Sequence, residues 1–315
     1  MSSQFFKSDR TSKIPKNIIQ CVPRKFKSYN KELMLTGLLN YVFVLKKNNK
    51  EMILKVYRSV EDSKSSSFSK EAYGYKIAKK QGIPVPKIYQ VSKKVPYVLM
   101  ERKKEKNIRY FLLDEDIPEY KKNRILAELI HYLIKLNKVK GKQINSYDYT
   151  SKKLKETENK IKKVNRLKTT KETKEILCSV FESLQNRKKY FNEKVFSVFL
   201  QRDLNPFNIL VDENSLKISA ILDWEKSSFG HPMEDIGRLL RFSWFGYYNI
   251  LKENYKKSGN PINEEQLNFF KDLYNLDFAL DYILRRKKYN FMPKAKRKFY
   301  NILVQNNLNR LKECC

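Results

Sequence analysis

The sequence predicts an α+β fold in two lobes: a small antiparallel sheet with one main helix, then a larger and mostly helical lobe. Three observations predict it. Two strand-length alternating runs, 41–45 and 51–57, lie close together near the start, joined by the polar segment Lys-Lys-Asn-Asn-Lys. One helix with a clear stop signal and one further strand follow. After Arg102 the apolar residues change to helical spacing and keep it over most of the remaining chain.

The elements justify themselves in order. Residues 1–30 are polar and basic, carry Pro15 and Pro23, and read as an irregular lead-in. In the run 51–57, Met52, Leu54 and Val56 fall on one face and Ile53, Lys55 and Tyr57 on the other. A serine-rich stretch, 63–69, precedes a helix that ends near Gln81, with Ser69 as its expected N-cap and Gly82 and Pro84 as its stop. The strand 97–101 closes the small sheet. Domain boundaries follow as 1–102 and 103–315. In the second part, Ile125, Leu126, Leu129, Ile130, Leu133, Ile134 and Leu136 form the wide stripe of a buried helix. The stretch 150–174 is nearly all charged and is expected to be a solvated helix or loop. Strands are expected at 195–200, 209–212 and 216–222, and several helices from about Met233 onward. Two such lobes would leave a cleft suited to a ligand.

Composition narrows the function. A chain of 315 residues with 41% hydrophobic content can bury a sizeable core. No apolar run approaches the roughly 20 residues of a spanning helix, and the N-terminus lacks the apolar core of a secretory signal. The four cysteines, Cys21, Cys178, Cys314 and Cys315, form neither a CxxC pair nor a His-assisted cluster, so a cytoplasmic location and no zinc or disulfide framework are expected. The net charge of +32 has two readings. It suits a surface that attracts RNA or steers anions, and it equally suits a Lys-, Asn-, Ile- and Tyr-rich composition of the kind an AT-rich genome encodes. The basic runs 285–288 and 294–298 are short, and charge alone leaves both readings open.

Chemistry concentrates in Val-Phe-Leu-Gln-Arg-Asp-Leu-Asn-Pro-Phe-Asn-Ile-Leu-Val (198–211) and Ile-Leu-Asp-Trp-Glu (221–225). An apolar strand leads to Asp203, Asn208 follows five positions later, and a second apolar run ends at Asp223. Phosphoryl transfer needs one carboxylate to take the proton of the attacking hydroxyl, and oxygen ligands for cations bridging the phosphates. These residues supply both sets. Each also has a plainer reading, as turn residues for Asp203 and Asn208 and a strand-end cap for Asp223.

The segment QRDLNPFNILVDENSLKISAILDWEKSSFGHPMEDIGRLLR resembles the core of the aminoglycoside phosphotransferase/choline kinase superfamily, small-molecule relatives of protein kinases, and is most similar to the viomycin and capreomycin phosphotransferase branch. The resemblance spans about 35–245. It implies a protein-kinase-like fold, with Asp203 as catalytic base, Asn208 and Asp223 as magnesium ligands, and Asp235 as the aspartate bracing the catalytic loop. In the first lobe it implies that Lys55 contacts the α/β-phosphates and Glu71 pairs with it. Asn40 ends the phosphate-covering segment 36–40, and the backbone of Glu101, Arg102 and Lys103 meets the nucleotide base. ATP or GTP and Mg²⁺ are the implied co-substrate and cofactor.

This chain departs from the family at named positions. Gln201-Arg202-Asp203 stands where His-Gly-Asp is usual, so Arg202 either does nothing, binds an acidic neighbour or meets an anionic substrate. The segment 36–40 keeps only one glycine, and His231, where an aspartate is common, is expected to pack or cap rather than to ligate. Asp272, Asp277 and Asp281 are the carboxylates that would receive a polycationic substrate, with solvated helix-surface charges as the alternative. The expected function is Mg²⁺-dependent phosphorylation of a hydroxyl on a small molecule, an aminoglycoside or cationic peptide antibiotic among them. The alternatives are an RNA- or protein-directed kinase on the same scaffold and a non-catalytic binding module.

Overall fold

The computed structural model describes residues 10–11, 19–34, 40–57, 67–93, 96–240, 248–259, 263–289 and 309. The segment 36–39, the basic run 294–298 and the tail cysteines lie outside them. The chain divides into two compact units, one made of 1–110 and 206–227, the other of 111–205 and 228–315.

In the first unit, β1 (Arg10–Thr11), β2 (Asn30–Met34), β3 (Asn40–Lys47), β4 (Lys50–Tyr57), β5 (Ile88–Ser92) and β6 (Tyr97–Glu101) form one sheet in the order β1-β2-β3-β4-β6-β5, antiparallel throughout. The expected hairpin is β3–β4. It closes on Asn48 and Asn49, both with positive φ (48° and 58°), the backbone that a tight two-residue hairpin needs and that asparagine tolerates. The residues 52, 54 and 56 face an apolar core with Phe26, Leu33, Phe43, Leu45, Tyr97 and Leu99. Burying each large side chain contributes roughly 1.5–3 kcal/mol.

Helix α1 (Ser67–Lys80) follows β4. Ser69 lies inside it rather than at its N-cap, because the helix starts three residues earlier than the serine pattern suggested. The stop signal is real: the N–H of Gly82 (φ 66°) bonds to Lys79 O at 3.0 Å and that of Ile83 to Ala78 O at 3.0 Å. The strand expected to close the sheet, β6, is an inner strand, because β5 pairs along its outer side. Its neighbour on the other side, β4, is flanked in turn by β3 and β2.

A second small sheet in this unit joins β7 (Lys106–Asn107), β10 (Ile209–Val211) and β11 (Ile218–Ile221). That pairing, with Ile221 N bonded to Pro84 O at 2.8 Å, groups 206–227 with the first unit rather than with the residues around it in sequence. The chain leaves this unit within a helical turn, α2 (Ile108–Leu112).

The second unit holds β8 (Lys140–Asn145), β9 (Lys194–Leu200) and β12 (Ser228–Gly230) in the order β12-β9-β8, with the helices α3 (Glu119–Asn137), α4 (Ser146–Asn165), α5 (Lys171–Arg187), α6 (Glu234–Leu240), α7 (Tyr248–Lys257) and α8 (Glu264–Tyr289). The predicted stripe of α3 is buried, apart from the half-buried Ile134. The charged stretch 150–174 is more than a solvated segment: α4 buries Thr150, Leu154, Thr157, Ile161 and Val164 along one narrow face. Asn145 caps α4 through Asp148 N, and Thr170 caps α5 through Thr173 N. Among the described residues, no helix is long and apolar enough to cross a membrane.

Candidate functional site

The face of β4 opposite the apolar core carries Lys55, which is 8% exposed. Its Nζ lies 2.9 Å from Glu71 Oε2, 2.8 Å from Asp223 Oδ1 and 3.1 Å from Glu225 Oε2. All four residues belong to the first unit, although 168 positions separate Lys55 from Asp223. Asn40 completes the group by donating from Nδ2 to Glu225 Oε2 at 2.7 Å.

Helix α1 supplies Glu71 to this cluster and Tyr75 beside it. Glu71 and Tyr75, four residues apart, share a helix face, and the Tyr75 hydroxyl accepts a long hydrogen bond from Asp223 N at 3.4 Å. Asp223 has φ 60°, a left-handed backbone that turns its carboxylate sharply off the end of β11. Between them Gly74 lets the helix approach closely, since a Cβ there would stand 2.6 Å from Ser227 Oγ and from Trp224 Cβ. Trp224 is fully buried and anchors the segment by donating from Nε1 to Ile221 O at 2.9 Å.

The electrostatics are lopsided. Burial pushes the Glu71 carboxyl up to about 7, only partly offset by Lys55, with the neighbouring carboxylates adding to the rise. Burial alone would lower Lys55, yet Glu71, Asp223 and Glu225 together hold it well above its ordinary value. Glu71, Asp223 and Glu225 each bring a ligand oxygen within 4.8 Å of the others. Three carboxylates around one ammonium leave excess negative charge on hard oxygen donors, a set that fits Mg²⁺. Asn208 stands beside it in the backbone: its C=O accepts from Leu222 N at 2.7 Å, just before β10 pairs with β11. Glu225 was not read as a site residue from sequence; the Asp-x-Glu spacing in the Asp-Trp-Glu segment was the available signal.

Asp203 lies in the second unit, in the loop after β9. Its N–H bonds to Gln201 Oε1 at 2.6 Å and its C=O accepts from Asn205 Nδ2 at 3.0 Å. Asp235 accepts from the backbone N–H of Gln201 (Oδ2, 2.7 Å) and of Arg202 (Oδ1, 2.9 Å). Arg202 has φ 65°, a left-handed conformation that costs an arginine about 1 kcal/mol or more. Of its three readings the acidic neighbour matches the geometry, with Nη2 3.0 Å from Glu234 Oε2.

The other candidates are placed as follows. Glu101 N–H bonds to Lys87 O at 2.8 Å, Lys103 pairs with Glu101 at 3.2 Å, and Arg102 reaches Glu51 at 2.8 Å. Asp272 is buried against Arg187 at 2.9 Å. Asp277 and Asp281 both pair with Lys160, the latter at 2.9 Å. Asp272 is thus closed off by Arg187, while Asp277 and Asp281 stay partly exposed beside Lys160 of α4. His231 is buried, and its Nδ1 accepts from Met233 N at 3.2 Å, a capping contact; burial pushes its pKa down to about 4.

A family model described as the phosphotransferase enzyme family matches residues 34–256. A search of curated protein sequences finds no match. Several solved structures share the fold. A thermostable mutant of the aminoglycoside phosphotransferase APH(4)-Ia, in ternary complex with ADP and hygromycin B, superposes with a TM-score of 0.64 at 15% identity, over 96% of this chain and 98% of that one. The gentamicin complex of APH(2″)-IIa gives 0.62 at 15% identity, over 96% and 97%. The choline kinase LicA from Streptococcus pneumoniae gives 0.60 at 17% identity, over 88% and 92%.

Proposed function

The chain belongs to the phosphotransferase enzyme family, and from that premise we propose that it moves the γ-phosphate of ATP or GTP onto a hydroxyl of a small molecule, with Asp203 as base. The observation that carries the reading is the convergence of Lys55, Glu71 and Asp223 within one unit, from positions 55, 71 and 223. In this reading Lys55 contacts the α/β-phosphates while Glu71 holds its ammonium in place. Asn40 sits at the end of the phosphate-covering segment, and the backbone of Glu101 to Lys103 meets the base. Asp223 and Asn208 are the residues that would hold Mg²⁺, with Glu225 beside them. When bound, the cation neutralises charge building on the bridging phosphate oxygens. Asp203 orients the acceptor hydroxyl and takes its proton at a carboxylate oxygen, and Asp235 fixes the loop that carries it.

ADP and aminoglycosides are what the structural neighbours bind, and they supply the first substrates to try. The pairing of Asp272 with Arg187, and of Asp277 and Asp281 with Lys160, weighs against a polycation received by those carboxylates. It favours a neutral or anionic acceptor. The test is transfer of labelled γ-phosphate from ATP and GTP, with Mg²⁺, onto pools of cationic antibiotics, amino alcohols, sugars and total tRNA. Label in one small-molecule pool, lost in Asp203→Asn, is the expected result. Label in tRNA alone would replace the small-molecule acceptor with RNA. Absence of both transfer and nucleotide binding would overturn the reading.

A further inference from the structure

The residue before the proposed base is an arginine in a backbone conformation that suits glycine. Arg202 has φ 65° and directly precedes Asp203. Two sets of contacts hold it there. Through the backbone, Asp235 accepts the N–H groups of both Gln201 and Arg202. Through the side chain, Nη2 donates to Glu234 Oε2 at 3.0 Å and to the Tyr149 hydroxyl, which itself donates to the same Glu234 oxygen. Glu234 is fully buried, and its other oxygen accepts from Arg238 at 3.3 Å. Burial would raise its carboxyl, but Arg202 and Arg238 hold it down at about 2, so it stays ionised at neutral pH. The Arg238 guanidinium in turn lies 3.6 Å from the centre of the Tyr274 ring. Gly230 leaves the room: a Cβ there would stand 2.6 Å from the Tyr149 hydroxyl and 2.7 Å from Arg202 Nη2.

We propose that Arg202 is a positioning residue for Asp203: the grip of Glu234 and Tyr149 on its guanidinium offsets the left-handed backbone at 202 and fixes the direction in which Asp203 leaves β9. The proposal rests on the reading of Asp203 as base. It assigns the guanidinium to the protein interior, because Nη2 is already shared between a buried carboxylate and a phenol. A lysine keeps the charge but puts a shorter, more strongly hydrated ammonium in place of the Nη2 that makes both contacts. A glycine keeps the backbone and the Asp235 hydrogen bonds, so it removes the grip with little reason to unfold the loop.

The test compares Arg202→Gly and Arg202→Lys with wild type and with Asp203→Asn, in ATP turnover with Mg²⁺ read as phosphate release, in ADP affinity and in thermal midpoint. Amide hydrogen exchange over 200–205 is the second measurement; it reads the loop directly and needs no acceptor. Positioning predicts that Arg202→Gly lowers kcat by about tenfold or more while KM for ATP and ADP affinity stay within about twofold. It also predicts faster exchange confined to 201–203, with Arg202→Lys in between. Wild-type turnover and exchange in Arg202→Gly would overturn the proposal. So would a fall in kcat matched by falls in ADP affinity and thermal midpoint, the mark of a purely structural role. Full turnover in Asp203→Asn would overturn the base reading instead, and with it the idea that Arg202 positions a base.

Discussion

Each unit buries a small cluster of charges, and the two clusters are built on opposite balances. In the first unit three carboxylates, Glu71, Asp223 and Glu225, crowd one ammonium, Lys55. In the second, one carboxylate, Glu234, is shared by two guanidiniums, Arg202 and Arg238, with the Tyr149 hydroxyl filling in. The consequences show in proton affinity: Glu71 is driven up to about 7 and Glu234 down to about 2, although both are fully buried. Burial penalises an ionised carboxylate in either place, and the partners decide the outcome. Glu234 has one oxygen against Arg202 and the other against Arg238, so its charge is compensated within the protein. The Lys55 cluster has negative charge to spare, which suits a cation.

The largest expected effect separates chemistry from binding. Asp203→Asn should lower turnover by about 10²–10⁴-fold with nucleotide affinity nearly intact; steady-state kinetics beside nucleotide titration check it. Next, Lys55→Met removes the cation that Glu71, Asp223 and Glu225 share. It should cost roughly 3–5 kcal/mol in denaturant unfolding at neutral pH, less at pH 5, where Glu71 can take up a proton. Equal loss at both pH values would break the contrast between the clusters.

The same contrast predicts opposite pH slopes. The folded-state pKa of Glu71 is raised, so the folded protein holds its proton more tightly, and stability is lost as pH rises from about 4.5 to about 7, by roughly 3 kcal/mol. His231 is depressed to about 4, so the unfolded chain takes the proton first, and stability is lost as pH falls from about 6.5 to about 4, by a similar amount. Glu71→Gln should flatten the first slope and His231→Gln the second, each visible in unfolding curves across pH 4–8. The smallest effect is steric. Gly74→Ala pushes a methyl into Trp224 and Ser227 and should cost about 1–3 kcal/mol, read as a lower thermal midpoint.

Much of this was legible in the sequence, for physical reasons that also explain the rest. The β3–β4 hairpin and the α3 stripe carry strict periodicity, and Gly82 is a strong local signal. The family-like segment from Gln201 to Arg241 lies unbroken along the chain, and a family model covers 34–256, nearly the span over which the resemblance was read. The strands β2, β5 and β8 were missed because they are partly exposed and read as Asn-Lys-Glu-Leu-Met, Ile-Tyr-Gln-Val-Ser and Lys-Gly-Lys-Gln-Ile-Asn, without apolar alternation. In α4 the buried face is so narrow that lysines and glutamates hide it. The partner of Arg202 was not assigned, because Tyr149 lies 53 positions away and only packing brings it there. Glu225 was visible in the Asp-Trp-Glu segment, but its pairing with Asn40 and Lys55 is a tertiary fact.

The most direct test of the central claim is calorimetric titration of ATP into wild type and Asp223→Asn, with and without Mg²⁺. The undercompensated carboxylate cluster predicts that Mg²⁺ tightens ATP binding to wild type by about 10- to 100-fold, and that Asp223→Asn loses most of that gain while still binding ATP weakly. Identical Mg²⁺ dependence in the two proteins would contradict the account, because the cation would then be held without the residue that the cluster turns toward it.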